Sequence, residues 1–76
     1  MNLKFNNEKL YDLLLPALET KEIQLRRNDY LDISKETIFK YFVENVWKDE
    51  SNIRLSQMVS DILNMDNEIL NKYKEL

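Results

Sequence analysis

The ten residues from Ile38 to Trp47, IFKYFVENVW, constrain this chain more than any other stretch. Wound at about 3.6 residues per turn, they put Ile38, Phe39, Phe42, Val43 and Val46 on one side, with Trp47 beside Val43 at the margin. So apolar a face must be covered by other elements. The segment therefore predicts a core helix around which the remaining chain is arranged.

The flanking sequence supplies the cover. Asn6 or Asn7 can cap a first helix running to about Asn28, in which Leu10, Leu14, Ala17, Leu18 and Leu25 follow one face while Tyr11, Leu13 and Leu15 widen it. Pro16 removes one backbone hydrogen bond and crowds the preceding turn, which predicts a bent but continuous helix kinked near Asp12 to Leu15, with two shorter helices, Pro16 in the first turn of the second, as the alternative. Ile23 falls on the opposite side. Met1 to Asn6 reads as a frayed lead-in whose Leu3 and Phe5 can fold back. Asn28 to Ile33 is a turn with two apolar plugs, Tyr30 and Ile33, and Ser34 then caps the central helix. Beyond Trp47, Lys48 to Asn52 is a charged loop. Ser51 or Asn52 is expected to open a third helix with Leu55, Met58, Val59, Ile62 and Leu63 in one stripe, ending at Asn64 and Met65. Asp66 caps a fourth segment with Ile69, Leu70, Tyr73 and Leu76 on one side. Helical stripes joined by short polar links predict an all-α fold, a small orthogonal bundle of three main helices plus a short C-terminal helix, in one domain spanning residues 1–76.

A chain of 76 residues leaves a small margin between apolar burial and conformational entropy. Cysteine and histidine are both absent. That removes disulfides, thiolate zinc sites, the usual acid/base at neutral pH and the common nucleophile pairs, so the expectation is a non-enzyme with no cofactor and no metal. Glu19, Glu22 and Asp61 are the carboxylates left for chemistry, and they read as surface groups. The longest apolar run, Leu13 to Leu18, is far short of a membrane span, and Met1 to Asn7 has no signal-peptide core, so a soluble intracellular protein is expected.

Charge argues in the same direction. The net charge is −3, whereas a phosphate-binding domain usually carries a basic excess. Four basic residues follow a glutamate by four positions, Glu22 and Arg26, Glu36 and Lys40, Glu44 and Lys48, Glu68 and Lys72, which is the spacing of surface ion pairs. Arg27 and Arg54 lack such a neighbour; with Lys21, Arg26 and Lys35 they form the candidate nucleic-acid patch. A helix-turn-helix reading would use Arg54, Ser56, Gln57, Ser60, Asp61 and Asn64 of the third helix, but Asp61 would repel the backbone and the Lys48–Asn52 link is long for that motif.

The succession Lys21, Leu25, Tyr30, Ile33-Ser34, IFKYF at 38–42, Trp47-Lys48, Arg54-Leu55 and VSDIL at 59–63 resembles the ComN-like post-transcriptional regulators of low-GC Gram-positive bacteria. The resemblance covers roughly Leu10 to Tyr73. Asp29 stands where members often carry glycine. The resemblance implies a small cytoplasmic regulator acting after transcription on competence-type genes through association with other proteins, and it supplies no catalytic residue. The leading expectation is thus a protein-binding adaptor with Tyr30, Trp47, Lys48 and Arg54 as candidate partner-binding residues. Direct RNA or DNA binding through the basic patch is the alternative, and weak self-association through Ile69, Leu70, Tyr73 and Leu76 is a third reading.

Overall fold

A computed structural model describes residues 7–48 and 53–74. Among these there are four α-helices and no strand: α1 (Asn7–Arg27), α2 (Lys35–Tyr41), α3 (Leu55–Asn64) and α4 (Asn67–Lys74), with one widened π turn at Phe42–Val46 extending α2. The lead-in with Leu3 and Phe5, the caps expected at Ser51 or Asn52, and Leu76 lie outside the described residues.

The apolar stripes meet in one core. Leu10, Leu14, Leu18 and Leu25 of α1, Ile33 of the loop, Ile38 of α2, Phe42 and Trp47 around the π turn, Met58 and Ile62 of α3, and Leu70 of α4 are all buried. Helix α1 packs against α2 and α3, and α4 packs against α2. Helix α1 runs without interruption through Pro16. One turn later the Thr20 hydroxyl donates to the Pro16 carbonyl at 2.9 Å, adding a bond beside the one that proline removes.

The central helix departs from a regular period. After Tyr41 the chain opens to an i→i−5 turn, closed by the Trp47 N–H donating to the Phe42 carbonyl at 2.8 Å. One extra residue in the turn swings Trp47 around over Phe42, where the rings stack with centroids 4.9 Å apart and planes 28° apart. Trp47 is therefore wholly buried, at 0 % exposure, whereas Val43 and Val46 are only half-buried. A regular 3.6-residue period had put Trp47 at the margin; the π turn corrects that placement. Inside the core its indole N–H needs an acceptor, and Asp61 Oδ2 of α3 provides one at 3.0 Å.

The helix ends explain the joints. Helix α1 closes in a Schellman motif: the Tyr30 N–H donates to the Leu25 carbonyl at 2.9 Å and the Asp29 N–H to the Arg26 carbonyl at 3.1 Å. Asp29 takes the left-handed conformation this requires, with φ of 68°. The aspartate thus supplies a left-handed residue without a glycine. Ser34 caps α2 by accepting the Thr37 N–H at 3.2 Å, and Asp66 caps α4 by accepting the Glu68 N–H at 2.8 Å. Helix α3 begins later than the sequence suggests. Its first residue is Leu55 and its cap position is Arg54, whose side chain makes no capping bond.

Substitutions at two positions test these contacts. Asp61→Ala leaves the buried indole N–H without its acceptor and is expected to cost about 1–3 kcal/mol in urea unfolding, with Asp61→Asn, which keeps a side-chain oxygen, costing less. Asp29→Gly relieves the left-handed penalty and is expected to raise stability by roughly 0.5–1 kcal/mol in the same assay.

Candidate functional site

The residues singled out from the sequence fall into two groups. Tyr30 and Trp47 belong to the scaffold: Tyr30 is the residue that closes α1, its hydroxyl donates to Glu68 of α4, and Trp47 is sealed in the core. Lys48 and Arg54 are exposed and stand at the two ends of the connection between the π turn and α3.

Of the candidate nucleic-acid patch, Arg26 and Lys35 come together at Glu22, whereas Lys21 turns into the fold. Lys21 is only 2 % exposed; its Nζ donates to the Met65 carbonyl at 2.7 Å and to Gln24 Oε1 at 3.2 Å. Burial pushes its pKa down, and nearby Asp66 opposes the shift. It holds the end of α3 against α1 and cannot reach a phosphate. Arg26 faces Glu22 at 3.9 Å. Lys35 is half-buried, and its backbone N–H donates to the same glutamate at 2.8 Å. Arg27 is exposed on the last turn of α1. Arg54 opens α3 at the end opposite Met65, so its backbone stands about 16 Å along the helix from the carbonyl that Lys21 meets. The helix-turn-helix surface is also partly committed to the fold, since Asp61 accepts from both Trp47 and Gln57.

The expected glutamate–lysine pairs gave way to another pattern. Of the four glutamates, Glu22 meets its Arg26, while Glu36, Glu44 and Glu68 accept tyrosine hydroxyls from distant parts of the chain. Tyr11 of α1 donates to Glu36 of α2 at 3.1 Å, Tyr73 of α4 to Glu44 of the π turn at 2.9 Å, and Tyr30 to Glu68. Each bond joins two elements, unlike an i,i+4 ion pair on one helix. Lys74 adds a cross-link from α4 to Asp32 in the α1–α2 loop at 3.3 Å. The C-terminal stripe is engaged in the same way: Leu70 is buried, Tyr73 packs edge-on against Tyr41 at 5.1 Å, and Ile69 stays 44 % exposed.

One concave feature was not anticipated. An open depression of about 330 Å³ lies between the first halves of α1 and α2, lined by Glu8, Tyr11, Glu36 and Phe39. Its aromatic rings pack edge-to-face, with centroids 5.2 Å apart. The bond to its own backbone N–H, followed by the Tyr11 hydroxyl, holds the Glu36 carboxyl below its ordinary range. A signal was present in the sequence: Glu8 and Tyr11, and again Glu36 and Phe39, are an acid in a helix's first turn followed three residues later by an aromatic. The two pairs become one feature only when the helices pack.

Among the described residues no group of acidic side chains could hold a metal ion, and no helix is long and apolar enough to cross a membrane. Fold and contacts define a small all-helical domain whose tyrosines, carboxylates and buried lysine bind its own elements together. Residues 7–76 match the model of the family described as post-transcriptional regulator, and the chain belongs to that family. No curated protein and no solved structure matched it.

The Tyr11 contact has a measurable consequence. Burial first, then the bond to Glu36 and its charge, push the phenol up to about 12 from an ordinary value near 10. Its folded pKa lies above the unfolded one, so the contribution to stability is complete below about pH 10 and lost as pH rises through about 12. In an alkaline absorbance titration Tyr11→Phe should abolish a tyrosinate step near pH 12; survival of that step would assign it elsewhere.

Proposed function

We propose that this chain is a single-domain, non-enzymatic regulator of the cytoplasm that acts after transcription as an adaptor binding another protein. The family match across residues 7–76 carries the regulatory part of this reading. The resemblance to ComN-like proteins extends it to competence-type genes and to association with protein partners. The absence of histidine and cysteine and the net charge of −3 agree with a binding role rather than catalysis or phosphate holding.

Direct RNA binding is the competing reading, and it keeps Arg27 and Arg54 as exposed cations. The burial of Lys21 argues against one member of its patch, while Arg26 stays exposed beside Glu22. Weak self-association through α4 retains Ile69, while Leu70 and Tyr73 already serve the domain itself.

Labelled protein titrated with a random RNA pool, first at low and then at physiological salt, separates the first two readings. The adaptor predicts backbone amides that stay in place at physiological salt, since a purely electrostatic contact fades as salt rises. Localised shifts around Arg26, Arg27 and Arg54 that survive would make the protein a direct RNA binder.

A further inference from the structure

The depression between α1 and α2 has a definite chemistry. Its lining is largely apolar, built on the edge-to-face pair of Tyr11 and Phe39, and its acids are Glu8 and Glu36 in the first turns of their helices. Tyr11 ties the two halves together, because its ring lines the hollow while its hydroxyl fixes the Glu36 carboxylate at 3.1 Å. The Glu36 carboxyl is ionised at neutral pH; its own backbone N–H, Tyr11 and Ser34 take three of its roughly four lone-pair directions and leave about one for a further donor. At about 330 Å³ the hollow is at the small end of ligand pockets and matches one long side chain with an apolar neighbour.

Aromatic surface beside carboxylates selects a ligand with a long aliphatic stem and a cationic head. The stem covers the rings and the head meets the acids. Arginine fits better than lysine, since its planar guanidinium stacks on aromatic rings and offers several donors at once. A phosphate or an acidic segment would be repelled by the same two glutamates. We infer that this hollow is a docking cup for an arginine side chain carried on a basic, apolar segment of a protein partner. The inference rests on the adaptor reading and names the surface through which that adaptor takes hold.

Two capped tripeptides test it on the full chain, acetyl-Leu-Arg-Leu-amide and acetyl-Leu-Gln-Leu-amide, each titrated into labelled protein while amide and aromatic-ring resonances are followed. The arginine peptide should shift Glu8, Tyr11, Glu36 and Phe39, and the glutamine peptide should bind at least about tenfold more weakly. A Glu8→Gln, Glu36→Gln double variant keeps a side-chain oxygen for the Tyr11 hydroxyl, so it should fold as before and lose the arginine preference by a similar factor. Equal shifts from both peptides, shifts elsewhere or no shifts would overturn the cup. Lys4→Gln in the otherwise intact chain covers a competing occupant. If that change alone moves the resonances of the cup, the chain's own leading segment fills it and the partner assignment falls. Failure of the peptide with RNA-silent spectra would leave the adaptor with another surface; RNA shifts at Arg26, Arg27 and Arg54 would instead remove the adaptor reading itself.

Discussion

The indole of Trp47 sets the geometry on which the other contacts depend. It enters the core only because the chain gives up a regular period after Tyr41 and opens one π turn. That turn stacks Trp47 on Phe42, and the N–H carried inward then demands an acceptor that α3 supplies through Asp61. Position and orientation of α3 are therefore tied to one widened turn in its neighbour. An i→i−5 turn gives weaker backbone geometry than an α turn, and burial of the largest side chain in the domain offsets that loss.

Around this centre the domain is held by contacts that are polar at the tip and apolar along the stem. Tyr11 and Tyr30 lay a ring against the core, Tyr73 lays its ring against Tyr41, and each reaches a glutamate on another element. Lys21 works the same way from within, its stem buried and its head on the Met65 carbonyl just past the end of α3. A domain of this size has few fully buried positions. Amphipathic side chains extend the set of residues that hold helices together without enlarging the apolar core.

Much of the architecture was legible because stripes and caps are local. Leu10, Leu14, Leu18 and Leu25 announce the buried face of α1, and Ser34 and Asp66 cap the helices that follow them. Two features were beyond local pattern. A π turn leaves the hydrophobic sequence unchanged and alters only where its last residues point, so Trp47 looked marginal. Partner choice is the other: Glu36 lies beside Lys40 in sequence, yet Tyr11 wins because packing α1 on α2 brings a half-buried phenol that needs an acceptor more than an exposed ammonium does. The same packing creates the Glu8, Tyr11, Glu36 and Phe39 hollow from two unremarkable pairs. Lys21, Leu25, Tyr30, Ser34 and Trp47, which carry much of the family resemblance, prove to be joints of the scaffold. These members of the signature serve the fold, while Lys48 and Arg54, which also belong to it, stay exposed.

The exchange of ion pairs for phenol–carboxylate bonds also sets how the domain meets its ionic surroundings. Two opposite charges on a surface lose much of their attraction as salt rises, because counterions screen each of them. A neutral hydroxyl donating at contact distance to a carboxylate offers no second charge to screen. The joints made by Tyr11, Tyr30 and Tyr73, which link α1, α2 and α4, are consequently weakened less by added salt than surface ion pairs in the same places would be.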